Sequence, residues 1–299
     1  MDTYTSETKE VLEKGFNRAV DNIYVAHQPI YGFRTPYAST SHISRYIIIK
    51  SILNVLNKYT FSNFIDIGGA EGFTAHLVKT LFNVKVHSTD LSENACKMAK
   101  SIFGIEATAC DIHNLPFSEN EFDVVLCSET LEHVTNYQGA IDELVRITKN
   151  LLIITVPHET PEMVAETIRN KVPHGHITYF DVNTLDYLKA KYHSVEYVKT
   201  LSPHLIVPRV VVEAYKKPDT KFHFKLYNAL MPVFRKIFGI GTANRIVDLD
   251  AKLIKKFGAY EGITFIIEKT KCNKTNTKKK IKARDFTGIT VPEYHLKGF

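Results

Sequence analysis

The run FIDIGGAEGF, Phe64 to Phe73, decides the fold. An apolar stretch leads into Asp66-Ile67-Gly68-Gly69-Ala70-Glu71-Gly72, and Phe73-Thr74-Ala75-His76-Leu77-Val78 continues with a helical spacing of apolar positions. The expected local structure is a strand, a tight glycine turn and a helix. Glycine at 68 and 72 lets the backbone take positive φ and brings N–H groups close to a ligand, while the first helical turn offers donors with no intrahelical partner.

Two familiar phosphate motifs do not fit this turn. A dinucleotide fingerprint needs glycine at the first, third and sixth positions, which here are Gly68, Ala70 and Phe73. A P-loop needs Gly-Lys-Ser/Thr, which the turn lacks. What remains is Asp-x-Gly-x-x-x-Gly, whose strand-end acid would repel a pyrophosphate and suits an amine or a sugar hydroxyl. In this form the turn resembles the first motif of the class I S-adenosylmethionine (SAM)-dependent methyltransferases.

Further acids follow at successive strand ends. Asp90 closes Val84-Lys85-Val86-His87-Ser88-Thr89 and could accept both ribose hydroxyls, because a carboxylate has two acceptor oxygens. Asp111 and Ile112 close the next strand, Ile105 to Cys110. A fourth strand, Phe122 to Cys127, runs into Ser128-Glu129-Thr130-Leu131-Glu132-His133-Val134, and a fifth, Leu151 to Val156, ends at Pro157-His158. The resemblance spans residues 60 to 200. It implies that Asp66, Gly68 and Gly72 meet the methionine end of SAM, Asp90 with Leu91 the ribose, and Asp111 with Ile112 the adenine. Ser128 and Glu129 would then border the transfer site. Any one of these acids could instead be a helix cap or a solvated loop residue.

The expected fold class is α/β: a Rossmann-like, seven-stranded, mainly parallel sheet with helices on both faces, plus a helical insertion. The expected domains are N-terminal helices and a lid loop over 1–60, a core over 61–201 with 262–270, a helical insertion over 202–261, and a flexible basic tail over 271–299. Residues 1 to 20 and His42 to Leu56 read as helices. The aromatic loop Tyr24 to Ser41 reads as a lid or a core clasp. Val195 to Leu201 and Gly262 to Glu268 read as the last two strands. Within the insertion, His223 to Ile240 combines an apolar face with Lys225, Arg235 and Lys236, broken by Pro232. It could touch a membrane surface, roof the site, or pack as a plain subdomain.

The net charge of +6 is concentrated in the tail, where Lys271, Lys274, Lys278, Lys279, Lys280, Lys282 and Arg284 precede the first acid, Asp285. The remainder is near neutral, so nucleic acid is a possible partner but not the favoured one. The four cysteines lack CxxC spacing, which fits reduced thiols in a cytosolic protein. With no signal-like N-terminus or membrane-length apolar run, the expectation is cytoplasmic, with peripheral membrane contact through 223–240 as an option.

Methyl transfer is an in-line displacement in which the enzyme orients two substrates. A base helps when the acceptor is a hydroxyl, and His133, assisted by Glu132, is the candidate. Glu129, Glu132 and His133 stand at i, i+3 and i+4, so a helix would place them on one face. With His176 they could ligate a divalent metal. This segment also resembles the metal site of small-RNA 2′-O-methyltransferases. The expected function is SAM-dependent methylation of a small-molecule, lipid-like or sugar hydroxyl. The alternatives are a non-catalytic SAM-fold partner protein, a metal-dependent RNA 2′-O-methyltransferase, and, more weakly, an NAD-dependent dehydrogenase.

Overall fold

The computed structural model describes residues 2–17, 19–20, 23–24, 40–205, 245–275, 281–282 and 285. Residues 25–39 of the expected lid loop, the amphipathic run 223–240 and most of the basic tail lie outside the described residues, and Thr40 and Ser41 belong to the following helix rather than to the loop. In chain order the elements begin with α1 (Thr3–Gly15), β1 (Ala19–Val20), β2 (Ile23–Tyr24), α2 (Thr40–Leu56) and β3 (Asn63–Ile67). They continue with α3 (Phe73–Phe82), β4 (Lys85–Asp90), α4 (Glu93–Phe103), β5 (Ala107–Ala109) and β6 (Phe122–Ser128). The last are α5 (Tyr137–Ile147), β7 (Thr148–Pro157), α6 (Pro161–Arg169), β8 (Ser194–Thr200) and β9 (Gly262–Glu268), with a helix over 245–257 between the final two strands.

Seven strands form one sheet in the order β5-β4-β3-β6-β7-β9-β8. The pairs among β3 to β7 are parallel, and β9 enters antiparallel between β7 and β8. The chain steps outward from β3 to β4 and β5, then returns to the other side of β3 for β6 and β7. This places the crossover at the carboxyl ends of β3 and β6, where open α/β sheets bind ligands.

The central strands read as continuous apolar runs because both of their faces are buried. Phe64, Val124, Leu126, Leu151 and Ile153 pack with α2, α3 and α4 on one face. Their neighbours Ile65, Val125, Cys127, Leu152 and Ile154 pack with α5, Phe180 and Leu185 on the other. Each fully buried Leu or Ile contributes about 1.5–3 kcal/mol, so the two clusters together hold the strand ends in place.

The N-terminal helix is shorter than the expected 1–20. It ends at Gly15, where Phe16 N donates to Leu12 O and the Phe16 ring turns inward against Ala70 and Ala95. Glycine is a poor helix former and the buried ring redirects the chain. The helix over 245–257 is tied to the sheet by Asp250, whose buried carboxylate accepts from Leu201 N at 3.0 Å and Ser202 N at 2.7 Å. No helix of the described residues is long and apolar enough to cross a membrane.

Candidate active site

The glycine turn after β3 has the strained geometry its sequence implies. Gly68 and Gly72 sit at φ +73° and +79°, and Ala70, at the third position, takes φ +47°. A Cβ on Gly68 would lie 2.2 Å from Thr130 Oγ1, and one on Gly72 would lie 2.9 Å from Ala99 Cβ. At Gly69 a Cβ would lie 2.3 Å from Ser88 Oγ and 3.0 Å from the Asp66 carboxyl. The bare backbone therefore passes directly over Asp66.

Each strand-end acid has a defined environment. Asp66 is 2% exposed, and burial, reinforced by the nearby charge of Asp90, pushes its carboxyl up to about 8. Asp90 is gripped by backbone: Oδ2 accepts from Ala70 N and Oδ1 from Ser92 N, both at 2.9 Å. A carboxylate has about four acceptor positions, and these bonds use one on each oxygen. Asp111 Oδ1 accepts from His113 N at 3.0 Å and from His113 Nδ1 at 2.7 Å, and His113 Nε2 meets Asn136 O at 3.1 Å. The three acids stand side by side along the carboxyl ends of β3, β4 and β5, where they line one cavity with Leu91 and Ile112.

The segment after β6 departs from the expected single helical face. Only Leu131–His133 is helical, as one 3-10 turn, and Glu129 precedes it at φ +52°. Glu129 is held aside: its N–H donates to Thr155 O at 2.9 Å, and Thr155 Oγ1 donates to its Oε1 at 3.0 Å. Ser128 Oγ completes this chain, 2.7 Å from Thr155 Oγ1. The four-residue metal set is thereby corrected to three, since Glu132, His133 and His176 bring ligand atoms within 4.8 Å of one another and Glu129 does not join them.

Around His133 the histidines form a packed group. His133 stacks on His174 at 3.9 Å between ring centroids and meets His176 edge-on at 4.8 Å. Its Nδ1 faces Gly175 O at 3.0 Å, so Nδ1 carries the proton and donates, which leaves the lone pair on Nε2. Burial, followed by the neighbouring His174 and His176, holds this imidazole well below 6.5. His174 is driven down to about 4 by burial and His176. Glu132 is 1% exposed, and burial, then Glu129 and Glu159, raises it well above the usual carboxylate range. Its Oε1 lies 3.8 Å from His133 Nε2, and among the described residues Oε2 has no hydrogen-bond partner. Burial thus disfavours the charged form of both partners of the pair, the Glu132 carboxyl and the His133 imidazole.

A single cavity of about 770 Å3 is lined by both groups, with Asp66, Asp90 and Asp111 toward one side and His133, His174 and His176 toward the other. This lies within the roughly 300–1,000 Å3 typical of ligand sites. Several contributors were not singled out from the sequence. Glu159 accepts from His176 Nδ1 at 2.9 Å, and Thr155 holds Glu129. Thr5, Thr8 and Leu12 of α1, with Phe16 just after it, cover part of the same cavity. A Glu following Pro-His at a strand end was the available signal for Glu159; nothing local in α1 marks its docking.

The family model for a methyltransferase domain matches residues 65–153. An uncharacterized protein of Methanocaldococcus jannaschii is 32% identical over 167 residues, 52% of this chain and 69% of that protein. The norajmaline N-methyltransferase of Rauvolfia serpentina is 28% identical over 117 residues, and the match spans 36% of this chain and 40% of that enzyme. Among solved structures, a chain from the Haloferax volcanii complex of the Trm112 methyltransferase activator with its candidate methyltransferase aligns with TM-score 0.51 at 9% identity. That alignment covers 78% of this chain and 94% of that one, a likeness of fold.

Proposed function

The chain belongs to the class I SAM-dependent methyltransferase family, and we propose that it binds SAM along Asp66, Asp90 and Asp111 and methylates an acceptor held beside His133. The observation that carries this reading is the shared cavity, which puts a cofactor-sized row of acids and a neutral imidazole into one enclosure. The turn fits the cofactor's methionine end: bare glycine backbone lies over a buried carboxyl poised to meet an amine. Asp90 and Asp111, with Leu91 and Ile112, would hold the ribose and the adenine.

Bound SAM supplies an electrophilic methyl group on a sulfonium. The chain's own residues orient the acceptor, exclude water and take up its proton. His133 Nε2 carries the lone pair and is the group placed to accept that proton. Its depressed basicity keeps it neutral through the physiological range, ready to accept as the acceptor's charge changes in the transition state. The acceptor is a small-molecule, lipid-like or sugar hydroxyl. Among the described residues the cavity lining contains Asp90, Asp111, Glu129, Glu159 and Glu261 against one guanidinium, Arg45, which disfavours a phosphate-rich acceptor such as RNA.

The convergence of Glu132, His133 and His176 favours a second reading, in which a divalent cation joins them. Such a cation would bind the Glu132 carboxylate, the form that burial and Glu129 disfavour. Calorimetric titration with SAM, S-adenosylhomocysteine and NAD, with and without chelator, tests both readings. The expected outcome is saturable binding of the two SAM ligands, no NAD binding, and at least a tenfold weaker SAM affinity in Asp90→Ala. Folded protein that binds neither SAM ligand would overturn the reading. Methyl transfer to hydroxyl acceptors that stops in chelator and returns with added cation would establish the metal-dependent form.

A further inference from the structure

The Gly175 carbonyl receives two donors from distant parts of the chain. His133 Nδ1 approaches it at 3.0 Å, and Tyr4 OH, from the N-terminal helix, donates to it at 2.8 Å. A carbonyl oxygen has two lone pairs, so both bonds can be held at once. Gly175 follows His174, which sits at φ +51°, and Lys171 nearby sits at φ +46°, so this loop carries backbone strain that surrounding contacts must hold. A second bond from the same helix end lands on the other flank of His133, where Thr135 Oγ1 donates to Asp2 Oδ2 at 2.6 Å.

The far end of α1 is anchored at the cofactor side. Glu13 accepts from Glu93 N at 2.6 Å and Asn94 N at 3.1 Å, at the start of α4 and directly after the Asp90-Ser92 turn. Between these ends Thr5, Thr8 and Leu12 line the cavity, and Phe16 lines it just past the helix. The helix is thus a strap from the ribose acid to the imidazole, and it covers the enclosure that both share.

We propose that Tyr4 is a positioning residue for His133: its bond fixes the Gly175 carbonyl, and that carbonyl holds the imidazole as the Nδ1–H tautomer with the Nε2 lone pair available to the acceptor. The proposal rests on the reading of His133 as proton acceptor. It extends that reading by making the acceptor group's readiness depend on the single Tyr4–Gly175 contact. The helix as a whole covers the enclosure, while the Tyr4 contact alone sets the tautomer.

The test uses the full chain labelled with [15N]histidine and long-range 1H–15N correlation spectra. The His133 resonance is assigned by its loss in His133→Gln. In the wild type the expected signature is a single Nδ1–H tautomer. In Tyr4→Phe, which keeps the ring and removes only the hydroxyl, the expected result is loss of that single-tautomer signature, with SAM affinity within about twofold of wild type, a shift too small to count as a lost contact. Glu13→Gln loosens the other end of the strap and should leave the tautomer unchanged.

Retention of a single Nδ1–H tautomer in Tyr4→Phe overturns the proposal. So does an equal loss in Glu13→Gln, because the effect would then belong to helix docking in general. If Tyr4→Phe does not fold, Asp2→Asn with Thr135→Val keeps Tyr4 in place and removes the neighbouring tie. The tautomer is then expected to persist, and its loss would overturn the assignment to Tyr4. Failure of SAM binding in the wild type would instead refute the functional reading, so the two failures are distinguishable.

Discussion

If SAM binds as proposed, with its amine against Asp66, its affinity should depend on pH through the carboxyl of that residue. With its carboxyl pushed up to about 8, the group is about 90% protonated at pH 7 and essentially fully protonated at pH 6. A bound ammonium beside it would favour the carboxylate and return it toward about 3.9. Binding then releases about 0.9 proton at pH 7, and affinity rises about tenfold per pH unit between pH 5.5 and 7. The ligand's own α-amino group titrates near about 7.7–8.0, so that lower window is the diagnostic one. Calorimetry in buffers of different ionisation enthalpy reads the proton count directly. Asp66→Asn should abolish the slope, which separates this carboxyl from the histidines. An affinity that stays flat from pH 5.5 to 7, with no buffer-dependent heat in a protein that binds SAM, would refute the placement of Asp66 against the amine. For the unliganded protein the sign is opposite. A carboxyl raised in the folded state costs stability as pH rises from about 4 to about 8, so SAM should protect most at the upper end.

Gly68→Ala should lose SAM binding and about 1–3 kcal/mol of stability in denaturant titration, because φ is +73° and the new methyl would lie 2.2 Å from Thr130 Oγ1. A variant that binds and melts like wild type would contradict the turn geometry. Asp250→Ala strands the buried N–H groups of Leu201 and Ser202 and should cost about 2–4 kcal/mol in chemical denaturation. Loss below about 0.5 kcal/mol, the range of an ordinary surface change, would show that the helix over 245–257 is not held to the sheet by this carboxylate.

The core was legible because its signals are local. Apolar runs such as Leu151 to Val156 mark strands buried on both faces, and Asp66, Asp90 and Asp111 each end a strand at the ligand edge. The region around His133 was less legible, because identical spacing can fold in two ways. Glu129, Glu132 and His133 would share a helix face, yet the chain turns through positive φ at Glu129, and Thr155, 26 residues onward, draws that side chain aside. The contacts of Asp2, Tyr4 and Glu13 with Thr135, Gly175 and α4 join residues far apart in sequence, and no periodicity announces them.

The position of β9 also bears on how the molecule is made. β8 has β9 as its one strand partner among the described residues, and β7 pairs with β9 from Leu151 to Pro157. Until residue 268 has left the ribosome, β7 is an open, apolar edge and β8 has nothing to pair with. At about 5–20 residues per second, synthesis of the roughly 110 residues between β7 and the end of β9 takes on the order of ten seconds. During that interval an unpaired edge can recruit another chain, which makes the nascent protein a client for chaperones and a source of aggregation in fast expression. Weaker expression, which lowers the concentration of chains with an open edge, should therefore improve its soluble yield without any change in the stability of the finished fold.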